Sequence, residues 1–309
     1  MFFPYAADVS LERPPIANWL LIAITAAVSG LLIAAGDFGP FVLQREGGSA
    51  GGILLYAFAH GGVLHLAGNL WFLWLFGNGV NARLGHPGYV ALYAGAAVVG
   101  GLAWLVFSAG TGMVGASAAI MGVAGAFLVL YPQNSIRAIW LGWRGCLTEE
   151  VRGFWLVFLY VAFDVLALVL DSSSQVAHVA HVGGFLAGAG AALLLVLTGV
   201  LGPREGERNL IDVFRNDAPV RLGPPAVETP IEFPTARSYG PRLRRGALRS
   251  RPFQWNPVVT LFSAGVFAVP VFVYVAPDVT GAATAETLLA LFLAIVALLF
   301  VWLQWGDRI

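Results

Sequence analysis

The chain has 309 residues, of which 58% are hydrophobic and 11% charged, with a mean hydropathy of +0.78. A soluble domain carries about a quarter charged residues, so these values describe a polytopic, all-α membrane protein. All 17 basic residues are arginine and 17 acidic residues balance them to a net charge of zero, which argues against a nucleic-acid partner, while the single Cys146 excludes a disulfide framework and any multi-cysteine metal cluster.

The N-terminus, MFFPYAADVSLERPP, has no basic stretch ahead of an apolar core, so the first apolar run reads as a retained span and not as a cleaved signal. Runs of about 20 apolar residues are long enough to cross a bilayer. Eight such spans are predicted, at about 18–36, 53–78, 88–109, 114–131, 153–171, 176–200, 258–276 and 283–305. The first six, joined by short loops, form a core over 1–200. Residues 201–257 hold ten arginines and six acidic residues, with eight prolines between Pro203 and Pro252, and read as a solvated, largely disordered cytoplasmic linker. Residues 258–309 form a two-span hairpin. With the N-terminus inside, sixteen arginines fall on the cytoplasmic side and only Arg45 outside, which sets both termini in the cytoplasm. The linker arginines then face anionic lipid headgroups. The all-arginine, Gly/Ala-rich composition suggests a bacterial inner membrane.

Polar side chains inside spans are costly and therefore candidates for function. Span 2 carries His60, His65 and Asn69, span 4 Ser117, span 5 Asp164, and span 6 His178 and His181. At about 1.5 Å per residue, Ser117, His181, His65 and Asn69 all fall in the outer half of the bilayer. His65 and Asn69, four apart, share a face, whereas His60 on the same helix is rotated roughly 140° from His65. Gly184 and Gly188 make a small-residue stripe on which His181 sits, with His178 about 60° off it. Gly115, Ala116, Ala118 and Ala119 leave room around Ser117 for that stripe to approach. A serine needs an adjacent base to become a nucleophile, and His181 can be that base. The Asn69 amide, the His65 imidazole and the Ser117 backbone N–H are the available donors for an oxyanion.

The segments HGGVLHLAGN, GASA and AHVGGFLAG, with LFGNGVNARLGH after span 2, resemble the rhomboid intramembrane serine proteases in order and spacing over about residues 15–200. The resemblance implies Ser117 as nucleophile and His181 as base of a dyad, His65 and Asn69 at the oxyanion hole, and His60 as a structural histidine beside it. It implies transmembrane proteins as substrates, no cofactor and span 5 as a lateral gate. The place under the catalytic histidine, often aromatic in the family, is Met121 here, and Ala118 stands where glycine usually follows the serine.

Rival readings are an inactive relative that binds transmembrane segments without cutting them, a haem or metal protein using the histidines, and a transporter. The metal reading is disfavoured because His60 and His65 point apart and no HExxH pattern is present. Asp164 reads as deeper than Ser117, protonated or paired, and not as a direct catalyst. Asp171 reads as a loop carboxylate, His178 as a cavity or interface residue and His86 as a solvated loop residue.

Overall fold

The computed structural model describes residues 2–142, 145–170, 177–204 and 206–217. The two predicted spans after residue 257, and Asp171, lie outside the described residues. Strand β1 (Phe2–Ala7) leads into helix α1 (Ile16–Ala35), which ends at Gly36 in the left-handed region with its N–H on the Leu32 carbonyl. A one-turn 3-10 helix (Gly39–Phe41), strand β2 (Leu43–Gln44), the short helix α2 (Gly52–Leu55) and a second 3-10 turn (Tyr56–Phe58) follow. Helix α3 (Val63–Phe107) breaks at Gly85, whose φ of +75° favours glycine, two residues before Pro87. Strand β3 (Gly112–Met113) pairs with β2 and delivers the chain to α4 (Ser117–Leu130). A hairpin of β4 (Ser135–Gly142) and β5 (Gly145–Arg152) precedes α5 (Gly153–Leu170), α6 (His178–Leu197) and α7 (Leu210–Arg215).

Spans 1 to 6 thus correspond to α1, the two arms of α3, α4, α5 and α6. By length and apolarity α1, α3 and α6 can each cross a membrane, and α4 and α5 are shorter apolar helices. Leu20, Leu31, Val106, Leu186 and Leu194 are exposed on them, as lipid-facing residues are.

Three expectations need correction. Span 2 does not run from 53: Gly61 and Gly62 interrupt it, the helix starts at Val63, and His60 lies in the loop before it. The fold is also not purely helical. β4 and β5 pair in register from Ser135 with Arg152 to Gly142 with Gly145, and β1 adds to the other edge of β4. Their polar–apolar alternation, as in SIRAI and LTEEVR, suits a half-exposed sheet and not a bare loop. Finally, the start of the Arg/Pro-rich segment is ordered: Asn209 caps α7 by a reciprocal bond with Asp212, and Arg204 bonds Glu12 at 2.8 Å while Arg83 donates to the Gly202 carbonyl. The compact unit extends over Met1–Val220.

The core is the contact of α3, α4 and α6, and glycines set its spacing. A Cβ on Gly188 would overlap the Gly122 carbonyl, and one on Gly100 would lie 2.7 Å from both Ala118 Cβ and the Ala180 carbonyl oxygen. Without a hydrophobic drive between helices in lipid, such backbone-close packing is what holds them together. At the other end of α1, buried Asn18 donates to the Leu73 carbonyl and to Asn78, accepts from Tyr89, and receives Asn81 Oδ1 on its backbone N–H. His86 is half-buried and bonded to Asn81 at 3.2 Å, so it is part of this polar knot and not a solvated loop residue.

Candidate active site

Ser117 is the first residue of α4. Gly115, two residues earlier, has φ +131°, and a Cβ there would stand 3.1 Å from His65 Nε2 and 3.7 Å from Ser117 Oγ. A methyl-sized volume therefore separates the His65 ring from the serine hydroxyl, and only glycine leaves it open. The first turn of α4 has no preceding carbonyls to occupy its N–H groups, so these groups and the positive end of the helix lie beside Ser117.

His60 holds that loop in place. Its Nε2 accepts the Ala116 N–H at 3.2 Å, which leaves the proton on Nδ1 for Ser29 Oγ at 2.8 Å, and Ser29 in turn donates to the Phe58 carbonyl at 2.7 Å. His60 is fully buried, and its ring meets that of His65 edge-on at 5.0 Å. The two rings do not point apart, because His60 is not on the helix that the 140° rotation assumed.

His181 lies one turn into α6, with Nε2 at 2.7 Å from Ser117 Oγ. The approach depends on Gly184, where a Cβ would overlap the Ala118 carbonyl. Gly188 repeats the contact one turn on. Met121 is half-buried one turn beyond Ser117. Asn69, buried on α3, donates one amide N–H to the His65 carbonyl at 2.8 Å. The amide carries two N–H groups, and the second is the one an oxyanion would use.

Asp164 is buried and paired, as a carboxylate inside an apolar helix requires. It lies six residues before the end of α5, about 9 Å of helix, which places it close to the level of the other polar groups. Buried, it sets Oδ1 at 2.6 Å from His178 Nδ1 and 3.0 Å from His181 Nδ1. His178 is thus a partner of Asp164 and not merely an interface residue. These three side chains offer ligand atoms within 4.8 Å of one another, a set able to hold a divalent cation.

The family model for the rhomboid domain matches residues 48–198, which takes in every residue of this cluster except Ser29. The chain carries a rhomboid domain. The rhomboid domain is similar to the mitochondrial presenilin-associated rhomboid-like protein of Mus musculus, 29% identical over 148 residues that make up 44% of this chain and 36% of the relative. It is similar to the mitochondrial Rhomboid protein 1 of Saccharomyces cerevisiae, 32% identical over 139 residues, 43% of this chain and 38% of the relative. It is also similar to the Rhomboid protease GluP of Bacillus subtilis, 33% identical over 147 residues, 47% of this chain and 26% of the relative. The match thus spans between about a quarter and two fifths of these relatives' length. Together with the apolar helices, it makes the protein an integral, multi-pass membrane protein.

Proposed function

We propose that the protein is an intramembrane serine endopeptidase that hydrolyses transmembrane segments of other membrane proteins. The observation that carries this reading is the 2.7 Å contact between His181 Nε2 and Ser117 Oγ, made between two apolar helices. Ser117 Oγ attacks the scissile carbonyl carbon as its proton passes to His181 Nε2. The carbonyl oxygen becomes an oxyanion, held by the Asn69 amide, the His65 ring and the N–H of Ser117. His181 then gives its proton to the departing amine, and water, activated by the same imidazole, releases the acyl group and restores the serine.

Arginine placement supports a site opening on the side opposite the Arg-rich segment. Named relatives come from mitochondria as well as from Bacillus subtilis, so the compositional suggestion of a bacterial inner membrane is not carried forward.

The test is cleavage of a transmembrane-segment reporter in proteoliposomes by wild type, Ser117→Ala and His181→Ala, each with and without EDTA. Cutting by wild type alone, unchanged by the chelator, is expected. Cutting that survives Ser117→Ala refutes the nucleophile, loss on chelation favours a metal at Asp164, His178 and His181, and a folded but inert wild type favours a binding-only relative.

A further inference from the structure

We propose that Asp164 is the positioning residue of His181, and that through it the reaction requires helix α5 to be docked against α6. The inference rests on the reading of Ser117 and His181 as nucleophile and base. Ionised carboxylates only accept hydrogen bonds. A single oxygen of Asp164 lies within bonding distance of the Nδ1 atoms of both His178 and His181. Each imidazole therefore carries its proton on Nδ1, and the His181 Nε2 lone pair is left facing Ser117 Oγ at 2.7 Å. Without such a partner, the neutral ring can place its proton on Nε2 and lose its ability to act as the base.

The carboxylate has a second effect. When the Ser117 proton reaches Nε2, His181 becomes an imidazolium, and the negative charge 3.0 Å from Nδ1 stabilises it. Asp164 stays ionised, and the proton leaves with the amine of the cleaved bond. His178 contributes by holding the same oxygen from one turn earlier on α6, with the Phe163 ring 6.3 Å from its own. A buried carboxylate among apolar helices is expensive unless it is paired, and here two donors pair it.

Ser117 and His181 belong to α4 and α6, but Asp164 belongs to α5. Hydrogen bonds weaken steeply beyond about 3.5 Å, so a shift of α5 by little more than about 1 Å breaks the link to His181. An α5 displaced to admit a substrate is then catalytically silent, and the chemical step waits for its return.

The experiment uses the full chain in proteoliposomes and compares wild type, Asp164→Asn, Asp164→Glu, Ser117→Ala, His181→Ala and the double variant Asp164→Asn/His181→Ala. The readouts are kcat and KM on the reporter, the labelling rate of Ser117 by a fluorophosphonate, and thermal unfolding. Asp164→Asn is expected to lower kcat and the labelling rate by about 100-fold or more, with KM little changed. Asp164→Glu, which keeps the charge, retains more of both rates than Asp164→Asn, which keeps the shape. The double variant is no slower than His181→Ala alone.

A wild-type kcat in Asp164→Asn, a change confined to KM, or losses that multiply in the double variant would each overturn the proposal. Should Asp164→Asn fail to fold, the histidine 15N spectrum of wild type, assigned with His181→Ala, decides: a proton on Nδ1 of His181 supports the proposal and a proton on Nε2 refutes it. Ser117→Ala separates the two levels. If it still cuts, the nucleophile reading falls and takes this inference with it. If it is inert while Asp164→Asn cuts normally, only the positioning role falls.

Discussion

Gly184 of α6 rests directly on the backbone carbonyl of Ala118 in α4, so close that a single added carbon at Gly184 would overlap that oxygen. This contact sets the distance between the two helices that carry Ser117 and His181. Gly184→Val forces them apart, and a displacement of about 1 Å at a reacting pair costs about 100-fold in rate. Overpacking of this kind also destabilises by about 1–3 kcal/mol. Reporter cleavage and thermal unfolding in detergent check both. A variant that keeps its activity would mean that the helix spacing is set elsewhere.

Gly115 makes a different prediction, because its backbone sits at φ +131° and its missing Cβ faces the His65 ring. Gly115→Ala adds about 1–3 kcal/mol of backbone strain and fills the space between His65 and Ser117. The expected outcome is a fall in kcat out of proportion to the loss of stability, measured as fluorophosphonate labelling against unfolding temperature. Parallel losses in both would point to a folding role alone.

His60 is tied to the loop before the serine by the Ala116 N–H. His60→Ala leaves a buried N–H and the Ser29 hydroxyl without their partner, at a cost of about 1–3 kcal/mol. A lower unfolding temperature accompanied by reduced cleavage is expected. Ser29→Ala, which removes the bonds to His60 Nδ1 and to the Phe58 carbonyl but leaves the bond between His60 and the Ala116 N–H, should have a smaller effect on both.

Asn69 tests the oxyanion reading. Removing one oxyanion donor costs about 100- to 1,000-fold in kcat. Asn69→Ala is expected to show that loss with KM nearly unchanged, in steady-state assays on the same reporter. A raised KM at constant kcat would assign Asn69 to substrate binding instead.

Much of the architecture was legible without coordinates. Apolar runs, interrupted by arginines and turn residues, placed spans 1, 3, 4, 5 and 6 within a few residues of α1, the second arm of α3, α4, α5 and α6. Burial of an apolar face is a local property of the chain, and so is the four-residue spacing of Gly184 and Gly188 that brings α6 onto α4. The start of span 2 is not legible in hydropathy, which continues smoothly through Ala57, Phe58 and Ala59, whereas the helix begins only after Gly61 and Gly62. In the β1–β4–β5 sheet the β4–β5 hairpin has a local signal in its polar–apolar alternation, whereas β1 lies at the extreme N-terminus and pairs with β4 across about 130 residues, which leaves no local signal.

The sequence by itself determined which polar side chains stand at similar places along separate apolar helices, since residues can be counted along each helix. It brought Ser117, His181, His65 and Asn69 to a common level before any coordinates. Which of those side chains touch was decided only by tertiary structure. Asp164 meets His178 and His181, and His60 meets Ala116, through the rotation and axial shift of separate segments. Helical periodicity fixes faces within one helix and leaves the phase between helices to backbone-close packing at Gly100, Gly122, Gly184 and Gly188.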